Sequence, residues 1–294
     1  MKKTLCAVLC ALFLGLGLAG CAEPAPAQIA ATTLPVYEFT ARLCRGTPLE
    51  VTRLVTEEVS CLHDYSLNVR QVKAAEAAET IVISGAGLED FLDGILSEEK
   101  LIDASEGIEL LCPQEGHGHD HDHDHGHSHE NDPHIWLSPA NAMDMARNIC
   151  SGLCHRYPQY TDTFRVNLEP LLRELEGLQE YGETTLSDLG CHDMITFHDG
   201  FAYFADAFGL HILEAIEEES GSEASAKELI RLIEETEHHG LPAVFTELNG
   251  SPSAAQVISR ETGAKVFALD MAMAGDSYFE AMYRNIDTIK EALG

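Results

Sequence analysis

The chain has 294 residues, of which 49 are Asp or Glu and 18 are Lys or Arg, so its formal net charge at pH 7 is −31. This balance argues against nucleic acid as a partner, because binding to a phosphate backbone requires Lys and Arg. It also disfavours electrostatic adhesion to anionic lipid and favours a cation as ligand. Apolar residues make up 45% of the chain, which is enough for one large folded domain or two of ordinary size.

The N-terminus has the pattern of an export signal. Two lysines precede an apolar stretch at residues 5–18, which is shorter than the roughly twenty residues that span a bilayer. Cys21 follows Leu-Ala-Gly, which resembles the bacterial lipobox, where the peptide is cut before an acylated cysteine. We expect residues 1–20 to be a signal peptide and residues 21–28 to be a lipidated, flexible tether. The alternative is an ordinary export signal that happens to contain a cysteine.

The cysteines of the mature chain do not define a disulfide pattern. An even number outside the membrane permits disulfides, but the sequence cannot choose among the many pairings. Cys150 and Cys154 lie four residues apart on a predicted helix, a spacing poorly suited to a bond between them. A zinc–thiolate site would lack the usual Cys-x-x-Cys pair. The cysteines concerned are Cys44, Cys61, Cys112, Cys150, Cys154 and Cys191.

Short apolar strands alternate with amphipathic helices in the first half of the chain, which argues for a mainly parallel sheet flanked by helices. The segment 115–130 contains no apolar side chain and is expected to be a solvated loop. The predicted strands are 28–33, 50–55 and 80–84, and the predicted helices are 36–44, 69–78, 88–96 and, after the loop, 138–157.

A long helix is predicted next, and the strand–helix alternation then resumes. Leucines at helical spacing predict this helix over 159–186, with Pro170 inside it as a possible kink. The later predicted strands are 193–197, 211–216, 243–247 and 265–269, and the later helices are 200–208, 225–238, 253–262 and 278–293.

These elements predict an α/β fold with two lobes, each a mainly parallel sheet flanked by helices. A long connecting helix is expected to join the lobes, with a metal cleft between them. The expected boundaries are an N-terminal lobe at 29–157, which includes the His-rich loop 115–130, a connecting helix at 158–187 and a C-terminal lobe at 188–294.

Three histidines and one aspartate lie at or near predicted strand ends: His63, His134, His198 and Asp270. In open α/β sheets ligands collect at the carboxyl ends of strands, so two facing lobes would bring these residues to one cleft. Three neutral imidazoles and one carboxylate form a closed tetrahedral set suited to zinc. Taken singly, each histidine could be an ordinary core or surface residue, and Asp270 could be a helix N-cap.

The surrounding motifs resemble those of the metal-binding lipoproteins of zinc and manganese ABC importers. The most specific is Asp-Pro-His-Ile-Trp-Leu-Ser-Pro at 132–139, and the resemblance extends over residues 29–293. It implies that His63, His134, His198 and Asp270 are the metal ligands. The other similar segments are His-Asp-Tyr at 63–65, Phe-His-Asp-Gly-Phe at 197–201, Thr-Glu at 246–247, and the stretches 261–266 and 285–289.

The same resemblance implies a function and a metal. Family members with a histidine at the third ligand position, here His198, are usually zinc binders, and imidazole suits zinc and copper better than manganese. The implied protein is not an enzyme: it captures Zn²⁺ and delivers it to an ABC permease with its ATPase. Acylated Cys21 would hold it at the lipid bilayer as a monomer with no nucleic-acid partner. A manganese-specific relative is an alternative.

The His-rich loop indicates a second way of binding metal. Its alternating imidazoles offer many transient sites that could gather, buffer or sense zinc. A competing function is therefore a zinc buffer or adhesin that acts through the loop. A zinc hydrolase is disfavoured, because four protein ligands leave no position for a water molecule and there is no His-Glu-x-x-His helix. The loop histidines are His117, His119, His121, His123, His125, His127 and His129.

Overall fold

The computed structural model describes residues 28–57, 62, 65–92, 94, 97–111, 131–215 and 224–294. The predicted signal peptide, Cys21 and nearly all of the tether lie outside the described residues. So do His63 and all seven histidines of the His-rich loop. None of the helices in the described ranges is long and apolar enough to cross a membrane.

The first lobe is built on a four-stranded parallel sheet with the strand order β2-β1-β3-β4. The central strands are apolar and buried, as expected when helices cover both faces of a parallel sheet. The strands are β1 (Ile29–Ala31), β2 (Val51–Arg53), β3 (Thr80–Ile83) and β4 (Leu101–Asp103), and the helices of this half are α1 (Leu34–Leu43), α2 (Val69–Ala77) and α3 (Pro139–Arg156).

One helix prediction in this lobe is wrong. The described part of the predicted helix 88–96 contains only a single 3₁₀ turn, Asp90–Leu92. The carboxylate of Glu89 instead accepts hydrogen bonds from the backbone N–H groups of Ser84 and Gly85 and from the hydroxyl of Thr32. These bonds tie the segment to the ends of two strands. Strand β4 was not predicted; its three residues directly follow a 3₁₀ turn, Glu98–Lys100.

The second lobe is also a four-stranded parallel sheet, with the order β6-β5-β7-β8. The predicted bounds of the last two strands and the last two helices agree with the structure. The strands are β5 (Asp193–Thr196), β6 (His211–Ala215), β7 (Ala243–Glu247) and β8 (Lys265–Leu269). The helices are α5 (Ala202–Phe208), α6 (Ala226–His239), α7 (Ser253–Thr262) and α8 (Tyr278–Leu293), and α4 (Thr161–Leu186) lies between the two sheets in the chain. The predicted fold, two parallel-sheet lobes flanked by helices, is confirmed.

Helix α4 contacts helices of both lobes. On the first-lobe side, the side-chain amide of Asn167 donates to the carbonyl oxygen of Leu43 at 2.8 Å. On the second-lobe side, the hydroxyl of Tyr181 donates to Asp287 at 2.6 Å. The helix continues through Pro170. One end of α4 is therefore bonded to the first lobe, and its other end is bonded to the second lobe.

Trp136 packs in the core between the lobes. Its side chain is fully buried, and its indole N–H donates to the carbonyl oxygen of Met271 at 2.7 Å. The buried hydroxyl of Tyr278 donates to the carbonyl oxygen of Trp136 at 2.8 Å. The backbone N–H of Leu34 adds a third bond across the lobes, to Met273 at 3.0 Å. The interface is thus both apolar and hydrogen-bonded.

The four cysteines in the described ranges are free thiols. Burial raises the pKa of Cys44 to about 12, and burial together with the neighbouring Cys154 does the same for Cys150. Since the thiolate is the form that binds metal, these two residues are poor zinc ligands. Cys61 and Cys112 lie outside the described residues.

Two glycines of α4 provide a test of how this helix packs. A methyl group at Gly182 would lie 2.2 Å from a ring atom of Phe208, whereas one at Gly177 would have no neighbour within 4 Å. We expect Gly182→Ala to destabilise the protein by about 1–3 kcal/mol through overpacking. Gly177→Ala, the matched control, should stabilise it by about 0.5–1 kcal/mol by removing backbone entropy from the unfolded chain. Urea unfolding of both variants measures the difference, and equal effects would contradict this packing.

Candidate metal centre

His134 is held in the cleft by the residues that precede it. Its side chain is only 2% exposed, and its Nδ1 lies 2.8 Å from Oδ1 of Asp132. The same Asp132 oxygen accepts the backbone N–H of His134 at 2.9 Å. The hydroxyl of Tyr203 in the second lobe donates to the carbonyl oxygen of Asp132 at 3.0 Å. These contacts fix both the backbone and the ring of His134.

His198 is positioned at the carboxyl end of the second sheet, directly after Phe197. Its Nδ1 lies 2.8 Å from Oε1 of Glu247, the last residue of β7, and both side chains are largely buried. The hydroxyl of Thr196 donates to the carbonyl oxygen of His198 at 3.0 Å. Gly200 leaves room for the ring, since a Cβ at that position would lie 2.6 Å from its Cδ2 atom.

The two imidazoles face each other across the cleft. The Nε2 atoms of His134 and His198 are 3.4 Å apart, and the ring planes are nearly perpendicular at 83°. A carboxylate on Nδ1 favours the tautomer with the proton on that nitrogen, which leaves a lone pair on each Nε2. Two lone pairs at this distance repel each other unless they share a cation. Tetrahedral zinc with Zn–N bonds of about 2.0–2.1 Å places its ligand nitrogens about 3.3–3.4 Å apart.

The electrostatics of His134 also suit a metal ligand. Burial lowers the pKa of His134, and the nearby His198 lowers it further, against the opposing effect of Asp132. A lowered pKa keeps the imidazole neutral, which is the form that binds a metal ion.

Asp270 directly follows the last strand, β8, and its carboxylate has other partners. Oδ2 accepts a hydrogen bond from the guanidinium of Arg284 at 2.7 Å, and Oδ1 accepts the backbone N–H of Ala272 at 2.8 Å. Asp270 and Glu247 line the same cavity, of about 240 Å³. In the described ranges, no three His, Cys, Asp or Glu side chains converge into a ready metal-ligand set.

The structure therefore brings together His134 and His198, and it places Asp270 in one cavity with Glu247, the partner of His198. His63 and the His-rich loop lie outside the described residues, so their roles stay predictions, as does ligation by Asp270. Sequence reasoning did not identify the orienting role of Asp132 or Glu247. The sequence contained a clue to each of them. Asp132 lies two residues before a candidate ligand, and Glu247 is the last residue of a predicted strand in the same lobe as His198.

Comparison with known proteins identifies the family of this chain. Residues 29–292 match the family model described as zinc-uptake complex component A, periplasmic. The chain is 30% identical over 312 residues to zinc-binding lipoprotein AdcA of Streptococcus pneumoniae, covering 99% of this chain and 61% of that protein. The AdcA proteins of Streptococcus pyogenes are also longer, and this chain spans 55% of their length.

Two solved structures are similar over nearly their whole length. The crystal structure of ZnuA has 30% identity and a TM-score of 0.77, covering 91% of this chain and 100% of that chain. A zinc-bound deletion mutant of ZnuA has 29% identity and a TM-score of 0.75, covering 91% and 98%. The family model covers most of the present chain and both structures share its fold, so this protein belongs to the zinc-uptake complex component A family.

Proposed function

We propose that this protein is the extracytoplasmic component of an ABC importer that captures Zn²⁺ and delivers it to the permease. The observation that carries the proposal is the facing pair of His134 and His198. Their Nε2 atoms have the separation of two zinc ligands, and a carboxylate behind each ring holds it in place.

The proposed ligand set is His63, His134, His198 and Asp270. Three imidazoles and one carboxylate are typical of four-coordinate zinc, whereas manganese prefers oxygen ligands. The zinc-bound ZnuA structure and the zinc-binding streptococcal relatives support zinc over manganese.

The centre is proposed to bind zinc without catalysis. Four protein ligands leave no open coordination position for an activated water molecule. Acylated Cys21 is proposed to anchor the protein at the membrane as a monomer, and the lipoprotein description of AdcA supports this. The permease and its ATPase are the proposed partners, and the His-rich loop is proposed to gather zinc for the cleft.

Zinc exchange is proposed to occur by small lobe shifts and loop rearrangement near His63 and Asp270. The attachment of α4 to both lobes and the bond between Trp136 and Met271 oppose a wide hinge opening. Solution scattering tests this proposal. The metal-free and zinc-loaded forms should have nearly the same radius of gyration, and a large change would contradict it.

Replacing the facing histidines tests the location of the site. His134→Ala combined with His198→Ala should abolish the tightest zinc site in a calorimetric titration of the mature protein. The loss should exceed the roughly 10–100-fold effect typical of removing an orienting partner, because two ligands disappear. The matched control is His211→Ala, since His211 is 72% exposed and lies at the opposite end of its sheet. An unchanged tight site in the double variant would place the cargo elsewhere.

Replacing an orienting carboxylate tests the role of the buried pairs. Glu247→Gln should weaken zinc binding by about 10–100-fold, because a neutral amide orients and polarises His198 less strongly. Glu214→Gln is a suitable control, since Glu214 pairs only with the half-exposed Arg231 in the described structure. Affinity is measured by competition with a chelator, and equal affinities for the two variants would refute the orienting role.

Deleting residues 116–130 separates the importer from the buffer or adhesin hypothesis. An importer component should retain one tight zinc site and lose the weak additional ones, because the cleft ligands remain. A buffer acting through the loop would lose nearly all zinc binding. Equilibrium dialysis against increasing zinc counts both classes of site.

A further inference from the structure

A basic side chain holds the carboxylate that is proposed to complete the zinc site. Nη2 of Arg284 lies 2.7 Å from Oδ2 of Asp270, and Ala272 donates its backbone N–H to Oδ1 at 2.8 Å. Both oxygens of Asp270 therefore already accept a hydrogen bond, and the positive charge of Arg284 offsets the negative charge of the carboxylate. In this state Asp270 is a weaker ligand for a cation than a free carboxylate would be.

The backbone of Asp270 is fixed independently of Arg284. The buried side chain of Asn285 accepts the backbone N–H of Asp270 at 2.8 Å and donates to its carbonyl oxygen at 2.7 Å. Ala272 has a positive φ of 53°, a conformation that is unusual for a residue other than glycine. Because the main chain is held by Asn285, breaking the contact with Arg284 would free the Asp270 side chain without displacing the strand end.

Breaking the ion pair between Arg284 and Asp270 costs little free energy. The side chain of Arg284 is 55% exposed, whereas that of Asp270 is 17% exposed, and partly exposed ion pairs contribute little to stability. Glu280 lies one helical turn earlier on α8 and lines the same cavity. Side chains four residues apart share a helix face, so Glu280 offers Arg284 a second carboxylate partner.

We propose that Arg284 is a latch on the zinc centre that competes with the cation for Asp270 and thereby limits zinc affinity. This inference rests on the proposed function, since it assumes that Asp270 binds the cargo. In the metal-free protein Arg284 pairs with Asp270. When zinc reaches His134 and His198, Asp270 exchanges the guanidinium for the ion, and Arg284 moves towards Glu280. Release of zinc to the permease reverses the exchange: Arg284 pairs with Asp270 again and takes the place of the departing ion.

The test is a competition titration with a zinc chelator of known affinity. Arg284→Gln should tighten zinc binding at the cleft by up to about fivefold, because a partly exposed ion pair that no longer competes with the ion is worth little more than that. Arg231→Gln is the matched control, because Arg231 is half-exposed and forms a comparable ion pair with Glu214, away from the cavity. The control should leave zinc affinity unchanged.

A second pair of variants isolates the interaction with Asp270. In the Asp270→Asn background, the further change Arg284→Gln should have no effect on zinc affinity, because the carboxylate for which the two cations compete is gone. Thermal unfolding gives an independent readout: Arg284→Gln should leave the metal-free protein no more stable, but should enlarge the rise in Tm on adding zinc.

The outcomes distinguish failure of the latch from failure of the proposed function. If wild-type protein binds zinc tightly and loses this site in the double histidine variant, the function stands. The latch proposal is then refuted if Arg284→Gln weakens zinc binding or leaves it unchanged. It is also refuted if Arg284→Gln tightens zinc binding by the same factor in the Asp270→Asn background. If wild-type protein has no tight site in the cleft, both proposals fail.

Discussion

The centre depends on two imidazole nitrogens held 3.4 Å apart, with the Nδ1 edge of each ring turned towards a carboxylate. When both Nδ1 atoms carry the proton, the two Nε2 lone pairs face and repel each other. The carboxylates of Asp132 and Glu247 maintain this arrangement by holding the opposite edge of each ring. A cation converts the repulsion into ligation. Under the proposed function, this geometry favours a positively charged ligand that prefers nitrogen, and the histidines need no large rearrangement to bind one.

This constraint requires the lobes to keep their relative position. His134 precedes a helix of the first lobe and His198 follows a strand of the second, so a shift between lobes changes the distance between the two nitrogens. The bond from Trp136 to Met271 lies next to both rings, and α4 is attached to both lobes. In the proposed exchange of zinc, control therefore falls to side chains of the cavity beside Glu247, of which Asp270 and Arg284 are examples.

Much of the fold could be predicted from the sequence, since local patterns determine it. The last strands and helices of the second lobe have clear apolar periodicity and polar caps, and their bounds were predicted accurately. The helix predicted at 88–96 failed because the bonds of Glu89 to Ser84 and Gly85 outweigh local helix propensity. His134 and His198 were found because each lies in a specific motif. The carboxylates that pair with these two rings, Asp132 and Glu247, were not predicted, because such pairing depends on tertiary structure. The same is true of the ion pair between Asp270 and Arg284.

X-ray absorption at the zinc edge tests the central claim most directly. The sample is mature protein lacking residues 116–130 and loaded with one equivalent of zinc, so that only the tight site is observed. The account predicts four nitrogen or oxygen neighbours at about 2.0–2.1 Å, with the multiple scattering of several imidazole rings. A sulfur neighbour at about 2.3 Å, or a shell without imidazole scattering, would contradict it and would assign the zinc to the cysteines or to a carboxylate cluster.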